Sequence, residues 1–254
     1  MTQPRETGAI AIIPVRVDSQ RLPGKALLAE SGKPLFLHTC AQARAAGCFA
    51  AVLVATDSDA VARAAEADGY TPVMTGAACR TGSERCAEAA RGRAAGVVVD
   101  IQGDWPEVDP ADLCQLVEAL AGDDGDATCA TLAVPLADPA AAADPNVVKV
   151  VRGCHGDALY FSRLPVPFHR RAEDRTPLLR HIGVYAFTSR TLQRLPELPS
   201  SGLDEIEGLE QLRFLENGIR MPVLRASGDP WGIECRADYD AFLARLADQP
   251  SRST

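Results

Sequence analysis

No apolar run in this sequence approaches the ~20 residues that a helix needs to cross a bilayer. The opening MTQPRETGAIAII has neither the h-region nor the cleavage site of a secretory signal. A cytoplasmic protein is therefore expected, with no membrane partner. Excess positive charge is also missing. The formal net charge is −8, so a general nucleic-acid-binding surface is not expected, and basic residues must act locally. The eight cysteines contain no CxxC and the four histidines no HExxH, which argues against a zinc site. Neither GxxxxGK(S/T) nor GxGxxG occurs, so the common kinase, ATPase and dinucleotide phosphate loops are excluded. There is no internal repeat and no compositional shift that would mark a linker.

What is present is ordinary in bulk. The chain has 254 residues, of which 46% are hydrophobic and 24% charged, enough for one large domain with a real core. Cysteines in helical, alanine-rich contexts (Cys40, Cys86, Cys114) read as small buried hydrophobes. In a reducing compartment, disulfides are not expected.

Strand-like apolar runs alternate with helix-period segments through the first half. Strands are expected at Ile10–Ile13, Ala51–Ala55, Val73–Met74 and Val97–Ile101. The helices between and after them are expected near Leu35–Ala46, Ser58–Asp68, Ser83–Gly92 and Pro110–Ala121. This β-α-β-α order implies an α/β fold with a doubly wound, mostly parallel sheet. Later strands are expected at Thr128–Val134, Val147–Val151, Ala158–Phe161, His181–Phe187 and Met221–Ala226. A long Pro/Arg-rich loop covers Leu164–Pro177, one amphipathic helix covers Leu203–Asn217, and a terminal helix lies near Arg236–Ala247. The simplest account is a single 1–254 domain carrying an inserted, β-containing lobe at about 146–187.

Three segments carry candidate chemistry. In AIAIIPVRVDSQRLPGK, a buried strand empties through Pro14 into a loop bearing Arg16, Arg21 and Lys25. Cations there suit a polyphosphate at the carboxyl edge of a parallel sheet, although they also suit a solvated turn. In CRTGSER, Arg80 and Arg85 flank Thr81-Gly82-Ser83 at a helix start, where free N–H groups attract anions. Simple capping by Ser83, with Glu84 and Glu88 in the first turns, is the alternative. In IQGDWP, an apolar strand delivers Asp104 to the mouth of the sheet, where a carboxylate can hold a hard divalent cation. Asp after Gly is also common in plain turns. Glu234, after Gly232-Ile233, is either a second carboxylate at that edge or an exposed charge. Magnesium needs only one or two protein carboxylates.

These motifs, taken in order, resemble the 3-deoxy-manno-octulosonate (Kdo) cytidylyltransferases of bacterial lipopolysaccharide assembly. The resemblance runs from about Ala9 to Ala247 and is carried by IIPVRVDSQRLPGK, GKPLFLHT, VLVATDSDAVARA, RTGSERCAEA, DIQGDWP, TLAVP, NVVKVV, ALYFSR, LLRHIGVYAF and DEIEGLEQLRFLENG. It implies a Rossmann-like nucleotidyltransferase sheet with an inserted dimerisation lobe, hence a homodimer. It implies transfer of CMP from CTP to the anomeric hydroxyl of a sugar acid, releasing pyrophosphate, with Mg2+ as cofactor. By the same resemblance, Pro14, Arg16, Arg21, Lys25, Arg80, Thr81, Gly82, Arg85 and Gln102 meet the nucleotide. Gln102, Arg163, His181, Tyr185, Glu210 and Gln211 meet the sugar acid, whose carboxylate Arg163 would pair bidentately. Asp104 and Glu234 hold magnesium that activates the hydroxyl. Arg21 and Lys25, with a second magnesium, neutralise the leaving group. Arg21, Lys25 and Asp104 are thus the expected catalytic residues.

Two positions depart from the family pattern. Trp105 stands where the family has Glu, and Glu234 where it has the second metal-binding Asp. They leave open a different carboxylated or phosphonate acceptor, or a nucleotide-binding homologue with weakened catalysis.

Overall fold

In a computed structural model of the chain, the described residues are 8–19, 21–122, 128–136, 138–171, 177–200 and 202–248. The first seven residues, Gln20 of the cationic loop, and 172–176 of the expected Pro/Arg-rich loop lie outside them.

The first half alternates as its apolar runs require. β1 (Ala9–Val15) leads through the cationic loop to α1 (Leu35–Ala46). β2 (Ala51–Thr56), α2 (Asp59–Ala67), β3 (Thr71–Met74), α3 (Gly82–Ala90), β4 (Val97–Ile101) and α4 (Pro110–Leu120) follow. The second half adds β5 (Cys129–Leu136), α5 (Pro139–Ala143), β6 (Lys149–Arg152), β7 (Ala158–Ser162) and β8 (Leu178–Thr188). It closes with α6 (Ser189–Arg194), α7 (Gly202–Glu207), α8 (Glu210–Glu216), β9 (Val223–Arg225) and α9 (Arg236–Asp248). The sheet order is β3-β2-β1-β4-β8-β5-β9. Its first four strands are parallel, whereas β8 runs antiparallel between β4 and β5.

Both faces of this sheet are covered, which is why β1 reads as an unbroken apolar run and β4 as one interrupted only by Asp100. On β1, Ala9, Ala11, Ile13 and Val15 pack with Phe36, Leu37 and Cys40 of α1 and Leu113, Leu116 and Leu120 of α4. Ile10 and Ile12 face the opposite core, against Cys86 and Ala87 of α3 and Phe214 of α8. Ile12 and Ile13 are fully buried, a stabilisation of roughly 1.5–3 kcal/mol per side chain. β1 pairs with β4 only as far as Ile12 but with β2 as far as Val15. Pro14 therefore falls where the strand has one neighbour, and its missing N–H is tolerated.

The order reverses at β1: the chain winds outward to β2 and β3, then returns to place β4 on the other side. Open α/β sheets bind ligands in the crevice beyond the carboxyl ends of strands at such a reversal. Here those ends carry the Arg16–Lys25 loop and Gln102–Asp104.

Two expectations are corrected. The single helix expected over Leu203–Asn217 is two, because Gly208 takes a left-handed φ of 61° between α7 and α8. Thr81, not Ser83, caps α3: its hydroxyl accepts the Glu84 N–H at 3.2 Å. Ser83 is the second residue of the helix, fully buried, and its hydroxyl donates to Asp100 at 3.0 Å. Within the 146–187 span, β6 and β7 form a hairpin, joined to β8 through the Lys149–Arg180 pair. β8 itself runs on into the central sheet, pairing with β4 from Val184 to Thr188. All eight cysteines are unpaired.

Candidate active site

The crevice at the sheet reversal is a cleft of about 970 Å³. From the first loop it takes Pro14, Arg16, Arg21 and Lys25, and from the end of β4 it takes Gln102, Asp104 and Trp105. Arg163, His181, Tyr185, Glu210 and Gln211 form its far wall, and Glu234 enters from the turn before α9. The four residues of the α3 motif, Arg80, Thr81, Gly82 and Arg85, are not among its lining.

One ammonium group ties the acidic turns together. Lys25 Nζ donates to Asp104 Oδ2 at 2.6 Å, to the Ile233 carbonyl at 2.6 Å and to Glu234 Oε2 at 3.4 Å. Arg21 reaches Glu234 Oε2 at 3.0 Å and donates to Asn146 Oδ1, also at 3.0 Å. Burial by itself would lower the Lys25 pKa, but the Asp104 and Glu234 carboxylates outweigh it and hold it above its ordinary 10.5. The cations of the first loop and the carboxylates of two later turns thus share one site.

The donor set fits magnesium. Two carboxylates converge on a single cation, Lys25 Nζ, and hard oxygen donors are what magnesium requires. Among the described residues, no group of three or more His, Cys, Asp and Glu side chains is arranged to hold a metal. Magnesium suits so sparse a protein shell because it keeps water and phosphate oxygens in its remaining positions.

Behind the cleft floor lies a buried carboxyl group that the sequence reading passed over. Asp100, within β4, is fully buried and accepts from Ser83 Oγ and, at 2.7 Å, from Gln102 Nε2. Burial and the neighbouring Glu210 raise its pKa to about 8. An acidic residue inside the apolar run VVVDI was the available signal. Glu210 is itself raised to about 7, chiefly by burial of its carboxyl group, against the lowering pull of the Thr81 hydroxyl and Arg213. The Thr81 hydroxyl donates to Glu210 Oε1 at 2.6 Å, so the α3 motif supports the wall from outside.

Several family-implied roles meet different geometry. Arg85, expected at the nucleotide, is buried and turned away: it pairs with Asp57 Oδ2 at 2.9 Å and donates to the Thr75 hydroxyl. Arg80 pairs with Glu84 at 2.6 Å. Arg163 lines the cleft, yet its guanidinium already donates to three carbonyls, those of Glu207 (2.7 Å), Pro145 (2.8 Å) and Gly208 (3.3 Å). It clamps two segments of the wall, at Pro145 and at Glu207–Gly208, and bidentate pairing with a carboxylate would have to release part of that clamp. Burial, then Arg180, lowers the His181 pKa to about 3. The imidazole is neutral and acts as a hydrogen-bonding group, 3.0 Å from the Thr131 hydroxyl. The Tyr185 hydroxyl donates to Gln211 Oε1 at 3.3 Å.

Arg180, Asn146 and Trp231 also line the cleft, and the sequence reading singled out none of them. Arg180 is buried, pairs with Asp229, donates to the Pro230 carbonyl at 2.8 Å and lies 4.3 Å over the Trp231 ring. Beneath the wall, the fully buried Lys149 satisfies its three donors on the carbonyls of Asp144, Val147 and Arg163.

A doubly wound sheet whose reversal point gathers cations around paired carboxylates defines a nucleotidyltransferase-type protein. Comparison narrows the class. The family model for cytidylyltransferases matches residues 10–221. A 3-deoxy-manno-octulosonate cytidylyltransferase from Chlorobium limicola is 44% identical over 246 residues, covering 96% of this chain and 99% of the relative. One of the same name from an Anaeromyxobacter species is 46% identical over 242 residues, covering 94% and 97%. Among solved structures, CMP:2-keto-3-deoxy-manno-octonic acid synthetase complexed with CTP superimposes with a TM-score of 0.88 at 36% identity, covering 95% of this chain and 99% of that one. A 4-diphosphocytidyl-2C-methyl-D-erythritol synthase from Anaerococcus prevotii shares the fold alone, with a TM-score of 0.62 at 13% identity over 95% and 99% of the two chains. The chain belongs to the 3-deoxy-manno-octulosonate cytidylyltransferase family.

Proposed function

We propose that the protein transfers CMP from CTP to the anomeric hydroxyl of Kdo, supplying the activated sugar for lipopolysaccharide assembly. The observation that carries this reading is the convergence of Arg21, Lys25, Asp104 and Glu234 in one cleft, in a chain of this family. The hydroxyl oxygen attacks the α-phosphorus of CTP in line. A new P–O bond forms, the bond to the bridging oxygen breaks, pyrophosphate leaves and the hydroxyl proton passes to solvent.

Asp104 and Glu234 would hold magnesium, which when bound supplies a Lewis acid that lowers the pKa of the attacking hydroxyl. Arg21 and Lys25 stabilise the negative charge that builds on the leaving pyrophosphate. Gln102, held by Asp100, presents a fixed amide to the cleft, and Pro14 and Arg16 border the nucleotide. His181, Tyr185, Glu210, Gln211 and the Arg163 clamp shape the acceptor end. Thr81 and Gly82 act from behind, through Glu210 and Gln102.

The reading extends to a cytoplasmic homodimer. CTP is a cytoplasmic metabolite, and eight unpaired thiols suit a reducing compartment. No helix among the described residues is long and apolar enough to cross a membrane. Leu159, Leu164 and Phe168 on and after the β6–β7 hairpin, with Ile206 of α7, are exposed apolar side chains suited to a partner face. Light scattering of the wild type and of Phe168→Asp tests the dimer.

Pyrophosphate release from CTP by the pure protein, with and without magnesium and with a panel of 2-keto sugar acids, tests the activity. Turnover with Kdo that requires magnesium is expected. Turnover only with another acid would overturn the acceptor, and magnesium-independent turnover the metal role.

A further inference from the structure

Trp105 occupies a position that no role so far uses. Its indole lies between two backbone segments of the cleft wall. A Cβ built on Gly183 would come within 3.2 Å of Nε1, and one built on Gly232 within 3.2 Å of Cε2 and Cζ2. Neither glycine has a left-handed φ, so backbone conformation does not demand glycine at either site; a Cβ at either would press on the indole, which would have to give by a few tenths of an ångström. Gly183 sits at the irregularity of β8, where the β5 register slips between Thr131 and Leu132. Bulges of this kind re-aim backbone beside functional sites.

The other side of the indole matters more. Gly232 lies two residues before Glu234, and Trp105 directly follows Asp104. The Ile233 N–H donates to the Asp104 carbonyl at 2.9 Å, and Lys25 grips the Ile233 carbonyl at 2.6 Å. The segment between Asp229 and Glu234 is thus pinned by Arg180 at its start, by the indole in its middle and by the Asp104–Lys25 pair at its end. An apolar plate there sets how far the turn stands from β4, and so how far the Glu234 carboxylate stands from that of Asp104.

We propose that Trp105 is a positioning residue: by packing on Gly232 it sets the turn that carries Glu234, and so the spacing of the two carboxylates. The inference rests on the reading that Asp104 and Glu234 hold a divalent cation.

The test is a double-mutant cycle read by Mn2+ binding, measured by electron paramagnetic resonance with saturating CTP. Trp105→Ala and Gly232→Ala are each expected to weaken Mn2+ binding about tenfold, as loss of a supporting group around a metal site does. The double variant is expected to bind within about twofold of Trp105→Ala, because the added methyl no longer meets the indole. If Trp105→Ala does not fold, Trp105→Phe, which keeps part of the plate, takes its place with a smaller loss. Additive losses, or wild-type affinity in the Trp105 variant, would overturn the inference. Asp104→Ala separates the two readings. If it binds Mn2+ as tightly as wild type, the metal reading falls and takes this inference with it. If it abolishes binding while the cycle is additive, only the role of Trp105 falls.

Discussion

Gly82 and Gln102 touch: a Cβ built on Gly82 would fall 2.4 Å from Gln102 Nε2 and 2.6 Å from its Oε1. The first residue of α3 and the first residue after β4 are therefore fitted to each other across the edge of the cleft. The same amide donates to the buried Asp100, so Gln102 is held from two sides and cannot give way freely. Substituting Gly82 by Ala should push the amide off Asp100 and leave a buried acceptor unpaired, costing about 1–3 kcal/mol. Urea denaturation measures this, and an unchanged midpoint would show that the amide moves without cost.

Lys25→Ala should lower kcat by about 10²–10³-fold, the effect of removing one charge-stabilising donor from a preorganised site. Asp104→Ala should abolish turnover. Both variants should fold, because these side chains lie at the strand-end crevice and not in either core. Circular dichroism checks the fold and pyrophosphate release checks the rate.

Arg85 separates the family-implied role from the observed geometry. Its partners are Asp57 and Thr75, so Arg85→Met should reduce stability by about 1–3 kcal/mol through the unpaired groups left behind. KM for CTP should change little. A large rise in KM with unchanged stability would return Arg85 to the nucleotide.

Asp100 gives a pH signature. Its pKa rises from 3.8 to about 8 on folding, so between these values the folded state keeps a proton that the unfolded chain has released. Stability contributed by this group therefore falls as pH rises from about 4 to about 8, and is level above that. Asp100→Asn lacks this slope. The difference in Tm between Asn variant and wild type should shift in favour of the variant across that window. A difference independent of pH would mean that Asp100 ionises in the folded protein as it does in the unfolded chain.

Much of this was legible in the chain, and the reason is the range over which each signal acts. Burial on both faces of a sheet leaves continuous apolar runs, so β1, β2 and β4 could be read directly, and with them the loops at their carboxyl ends. The cationic loop and Asp104 followed from that placement. Local chemistry was harder even at short range: Gly208 split one expected helix in two, and Thr81 took the cap that Ser83 was expected to hold. An amphipathic pattern does not register a single left-handed residue, and two hydroxyls two positions apart compete for one set of N–H groups.

The sequence by itself determined the alternation of strands and helices in the first half, the edge at which the charged loops emerge and the family. Tertiary structure alone decided what each side chain meets: that Lys25 joins Asp104 to Glu234, that Arg85 meets Asp57 and Thr75 and Arg163 three carbonyls, and that Trp105 lies against Gly183 and Gly232. The physical reason is that periodicity records burial, which each segment expresses on its own. A hydrogen bond between residues 79 or 209 positions apart depends on separations of an ångström or less, and these exist only once the sheet has brought its loops together.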